Sequence, residues 1–163
     1  MKLLLLIVAL LPLVPLRAAE PGDLIERLPG IRLKALAETA SLREGSTAEM
    51  IKAAVAVRDR LLPSIVILES KLEGKSDKEV RAVIERDLEA ISRDTMIRGN
   101  SVGRGGSIVS IESAWAVVSH LEARASWCVW QLMKDFKGFE FDDWHKRWAV
   151  EEEEAAAGTP DDR

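Results

Sequence analysis

The 163 residues carry 23 basic and 27 acidic side chains, a net charge of −4, with 47% hydrophobic and 31% charged residues. That balance excludes a disordered chain and gives room for one domain with its own core, too little for two. So acidic a chain lacks the field that draws proteins onto nucleic acid. The absence of tyrosine and the three phenylalanines point to helices rather than sheets.

Residues 1–19 read as a secretory signal peptide. Lys2 supplies the positive n-region, Leu3 to Leu16 form an apolar run, and Ala18 and Ala19 offer small residues for cleavage. The run contains Pro12 and Pro15 and falls short of the ~20 residues of a membrane-spanning helix. The expectation is export, to the periplasm or outside the cell, with no stable membrane span after leader removal; an uncleaved N-terminal anchor is the alternative. Removal of the leader leaves 21 basic groups against the same 27 acidic ones, a net charge of about −6.

Residues 20–157 then read as one all-α domain of five to six helices, an irregular helical bundle or short α-solenoid, and 158–163 as a disordered tail. "PGDLIERLPG" is expected to be a short turn of helix between two Pro/Gly breaks, with a second helix from Ile31 to Glu44. Ser46 and Glu49 have capping-box spacing and open a helix that reaches Gly74. Pro63 lies inside it, so a kink or a junction of two helices is expected at Leu62. Ser76 and Glu79 repeat the capping box, and Val80, Val83, Ile84, Leu88 and Ile91 then mark an amphipathic helix. Four glycines between Gly99 and Gly106 predict a glycine-rich loop over 99–107. A long helix follows from about Ser110 to Lys134, with Ile111, Trp115, Val118, Leu121 and Ala125 on its apolar face. Asp142 is expected to cap a last helix running to about Ala157.

The loop is the first chemical candidate. Backbone N–H groups ahead of a helix N-terminus, with Arg98 and Arg104 beside Gly105, Gly106 and Ser107, would suit an anion. The nucleotide-binding patterns are absent: no lysine follows the last glycine, and Ile108 stands where GxGxxG requires glycine. Ser101, Ser107 and Ser110 lie nearby, but His120 is ten residues beyond Ser110, ~15 Å along a helix. His120 and His145 lack ligand spacing, so no metal or cofactor is expected. The carboxylate groups Asp142–Asp143, Glu85–Asp87–Glu89 and Glu151–Glu154 would each serve a hydrolase of envelope polymers as acid/base pairs, and the Glu151–Glu154 run reads as solvated helix surface. Cys128, the lone cysteine, sits between Trp127 and Val129 and reads as a buried thiol, with an intermolecular disulfide as the alternative.

Trp144 and Trp148, four apart, share a helix face and with Phe139 would either seal the core or form an aromatic partner surface. The stretch "ASWCVWQLMKDFKGFEFDDWHKRWA" resembles the closing segment of bacterial HEAT-type helical-repeat proteins. Asp135, Phe136, Gly138, Phe139, Asp142, Trp144 and Trp148 carry the likeness, while Met133 and Lys134 stand where a Thr-Gly pair is usual. The resemblance implies a protein-interaction scaffold without cofactor or catalytic residues. The functional expectation is therefore an exported, non-enzymatic module that binds a protein partner. The alternatives are the hydrolase and the anion binder.

Overall fold

The computed structural model describes residues 21–104 and 106–150; the leader, Glu151–Glu154 and the C-terminal tail lie outside them. Six helices and no strand are present among the described residues. They are α1 (Pro21–Glu38), α2 (Ala40–Arg43), α3 (Thr47–Glu73), α4 (Asp77–Ser101), α5 (Ser107–Met133) and α6 (Phe141–Ala149). The all-α bundle expected from composition is the observed fold.

Both capping boxes form. Ser46 Oγ accepts from the Glu49 N–H at 3.4 Å while Glu49 Oε2 accepts from the Ser46 N–H at 2.7 Å. Ser76 and Glu79 repeat the exchange at the start of α4. These bonds favour the charged carboxylates and hold both glutamates below their ordinary pKa. Gly74 closes α3 in the left-handed conformation, φ 65°, which a side chain would strain. The chain therefore reverses within three residues and sends α4 back along α3.

Neither Pro29 nor Pro63 ends a helix. Pro29 lies inside an unbroken α1. Its missing N–H orphans the carbonyl of Ile25, one turn earlier, and that carbonyl accepts from Trp144 Nε1–H at 2.8 Å. Pro63 lies inside an equally unbroken α3, so the expected junction at Leu62 is absent. There the orphaned carbonyl belongs to Asp59, an exposed residue where water can replace the helical bond. Ser64, Ile65, Val66 and Leu68 of the "SIVIL" run are buried helix.

The glycine-rich loop is shorter than expected. Gly99 belongs to α4, and only 102–106 connect α4 to α5. A Cβ at Gly99 would lie 2.7 Å from both methyls of Val109, so the glycine is needed for close approach of the two helices. The last helix begins at Phe141 with Glu140 at the cap position, which makes Asp142 a first-turn residue rather than the cap.

One hydrophobic core runs through α1, α3, α4, α5 and α6. α3 lies at its centre, flanked by α5 and α1; α4 packs mainly on α5, and α6 closes over α1 and the end of α5. α3 and α4 touch each other much less than either touches α5. This divergence shapes the surface described next.

Candidate functional site

α3 and α4 leave the Gly74 turn together and then separate over α5. Near the turn they are clamped: Arg124 of α5 donates from Nε and Nη2 to both oxygens of Glu69 on α3, each at 2.6 Å. Its Nη1 donates to Asp87 of α4 at 2.8 Å. Glu69 is 2% exposed, so this is a forked ion pair within the core. The Glu69 bonds hold the Arg124 guanidinium above its ordinary pKa.

A half-buried histidine and a buried cysteine adjoin the clamp. Burial, then Arg124, pushes His120 below the usual histidine value, and its Nε2 has no hydrogen-bond partner. Burial pushes the Cys128 thiol up to about 12, so it is an inert core group, as its apolar neighbours suggested.

Beside the clamp the two helices leave a groove of about 880 Å³ over α5, its α4 edge running on both sides of Asp87. Ala54, Leu62, Leu88, Ala114 and Val117 form its apolar floor. Ser92 and Ser113 stitch α4 to α5 there: their hydroxyls are 2.7 Å apart, and Ser113 Oγ also donates to the Ser92 carbonyl at 3.0 Å. At the far end Val55, Met96 and Ile97 line the groove and are exposed, Ile97 by 58%. Charges border it. On α3, Arg58 pairs with Asp59 at 2.7 Å; on α4, Arg81 and Glu85 approach to 3.6 Å. Glu89 and Arg93 continue the α4 row at four-residue spacing, and neither makes an ion pair among the described residues. Of the candidate acid/base group Glu85, Asp87 and Glu89, Asp87 belongs to the clamp, while Glu85 and Glu89 are exposed at the groove edge.

The sequence-predicted anion residues are not gathered into a pocket. Arg104 donates to Glu112 at 3.0 Å and lies along the start of α5. Arg98 projects from the last turn of α4 and is exposed, and Gly106 holds the α5 cap position without a side-chain cap. Gly105 lies outside the described residues. His120 and His145 stay on separate helices, His145 stacking on Phe141. No group of three His, Cys, Asp or Glu residues with metal-holding geometry occurs among the described residues.

Of the two readings of Trp144, Trp148 and Phe139, a core seal or an aromatic partner surface, burial favours the seal and rules out the surface for the two tryptophans. Trp144 is fully buried and Trp148 is 5% exposed; their rings stack at 5.4 Å. Phe139 is half-buried against the same core. Arg32 covers Trp148 at 5.6 Å and ties α1 to Glu122 and to the Val150 carbonyl. These tryptophans seal the fold, because their indole area and one N–H are what the Pro29 turn of α1 lacks. The exposed aromatics are Trp127, Trp130 and Phe136 instead. The sequence held that signal: Trp127 and Trp130 fall off the helical face set by Leu121, Ala125, Cys128 and Leu132.

Comparison with family models, curated proteins and solved structures returned no match.

Proposed function

We propose that the chain is an exported, non-enzymatic protein-interaction module whose groove between α3 and α4 receives an amphipathic helix of a partner protein. The observation that carries this reading is the groove itself, an apolar floor between charged edges, held open by the divergence of two helices. Its α4 edge runs from Arg81 to Asn100, ~28 Å at the helical rise, about five turns of a helix lying alongside. Glu89 and Arg93 give the partner's charges a sign: a basic residue opposite the first and an acidic one opposite the second. The one buried carboxylate among the described residues, Glu69, is locked by Arg124, and the carboxylates at the groove edge are exposed. That favours binding over the hydrolase alternative.

The test is site-specific photocrosslinking in the intact chain. A benzophenone side chain at Val55 or Ile97 faces the groove, whereas one at Lys34, on α1, does not. The expected result is one partner captured from both groove positions and not from Lys34. The crosslinked peptide should have an apolar helical face, and capture should be lost in Met96→Glu/Ile97→Glu. Both substituted positions are exposed, so stability should change by less than ~0.5 kcal/mol each. Equal capture from all three positions, or from none, would end this reading.

A further inference from the structure

A second apolar surface lies at the opposite end of α5. Trp127 and Trp130 are each 46% exposed, and Phe136, in the connector after α5, is 64% exposed. Lys134 Nζ sits 5.4 Å over the Trp130 ring, and Lys137 is exposed two residues beyond Asp135. Trp130, Met133, Lys134, Phe139 and Phe141 line a small hollow of about 170 Å³. Half-exposed tryptophans with lysines at their border are poorly placed in water. They suit the headgroup layer of a bilayer, where the indole body is dehydrated and its polar edge and the ammonium groups stay solvated.

The path of the chain gives the second argument. Phe141 stacks on Trp144, and Trp144 donates to Ile25 in the first turns of α1. Arg147 of α6 pairs with Glu26 at 2.8 Å. The start of α1 is therefore fastened beside the aromatic surface. Only Arg17 to Glu20 separate Pro21 from the apolar run Leu3 to Leu16. Four residues span at most ~14 Å, so in the chain that keeps its leader, the alternative to cleavage, a membrane-seated run would hold this end of the bundle within that distance of lipid.

We infer that the end of the bundle formed by the α5 C-terminus, the connector and α6 rests on a phospholipid surface, with Trp127, Trp130 and Phe136 at headgroup depth. No described helix is long and apolar enough to cross a membrane, so this contact is peripheral. The opposite end of α5, at Ile108, stands ~33 Å away along the helix and points the groove into the aqueous phase.

The full chain, leader included, is added to vesicles of phosphatidylethanolamine and phosphatidylglycerol carrying brominated acyl chains. Tryptophan fluorescence should be quenched, and Trp127→Phe/Trp130→Phe should lose most of that quenching while Trp115→Phe keeps it. A second readout does not depend on the double variant. Native Cys128 is too buried to react, so Phe136→Cys takes an environment-sensitive fluorophore alone; its emission should shift blue on vesicles, and that of Ile108→Cys should not. Vesicle binding with no quenching at Trp127 and Trp130 would mean a tethered bundle that never docks, and would overturn the inference. Absence of binding would do the same. So would concentration-dependent protection of these tryptophans from acrylamide without lipid, which would assign the surface to a second copy of the chain.

Discussion

The two halves of α5 show how one helix serves two purposes. Towards its C-terminus Leu121, Ala125, Cys128 and Val129 lie within the core, where α3 and α6 cover them and Arg124 ties down the buried Glu69 carboxylate. Towards its N-terminus the residues of the same face, Ser110, Ser113, Ala114 and Val117, floor an open groove because α3 and α4 have moved apart. Pro29 and Pro63 repeat the contrast. In the sealed half the orphaned carbonyl finds an indole N–H; on the groove side it belongs to the exposed Asp59, where water can serve it. Sealing needs a specific partner for every buried polar group. Openness needs only that two helices be fixed at one end and free to diverge at the other.

The largest test of that division is the clamp between the halves. Arg124→Ala would leave Glu69 charged, buried and unpaired, and should lower unfolding free energy by about 3–5 kcal/mol in urea titration. Replacing both partners, Glu69→Gln with Arg124→Met, should recover much of the loss, since it removes the stranded charge. A cost under ~1 kcal/mol for the single variant would show that water reaches Glu69, and the boundary drawn here would dissolve.

The next effect concerns the sealed half. Trp144→Phe keeps the ring but strands the Ile25 carbonyl, which should cost about 1–3 kcal/mol. Pro29→Ala supplies the missing helical N–H to that same carbonyl. In the Trp144→Phe background it should restore most of the stability, while alone it should change little. The paired substitutions thus form a cycle with strong coupling, measured by thermal or urea unfolding. Additive effects would show that the indole bond and the proline are unrelated.

Sequence patterning revealed the helices more readily than their relations. The capping serines and the apolar face of α4 were legible, because a cap and a 3.6-residue period are local. The fates of Pro29 and Gly99 were not, since each depends on a residue far away or across a turn, Trp144 in one case and Val109 in the other. Local rules say that proline and glycine break helices; they do not say when a distant side chain repairs the break. The groove was invisible for the same reason. Arg58, Glu85 and Met96 read as ordinary surface until the divergence of α3 and α4 brings them to one edge. Of the aromatic residues, the buried pair was recognised as a core seal. The exposed Trp127 and Trp130 were missed although their helical phase marked them.

The smallest effect lies on the border itself. His120 stands one turn before Arg124, and the charged groups facing it are Arg124 on its own helix, Asp87 on α4 and Glu69 on α3. Burial and Arg124 lower its pKa in the folded chain, against the weaker pull of the two carboxylates. As pH falls through about 6.5 the unfolded chain takes up this proton and the folded chain does not, so stability must decline with acidification. The decline should begin near that pH and level off once the folded pKa is passed. It is distinct from the contribution of Glu49 and Glu79, whose lowered values matter only as pH falls through 4.5 and below. His120 is only half-buried, so solvent screening keeps its share small. Urea midpoints measured between ~pH 7 and ~5.5 should fall for the native chain and flatten in His120→Gln. Identical slopes in the two chains would place His120 in open water, and the sealed half of α5 would then end one turn later, at Arg124.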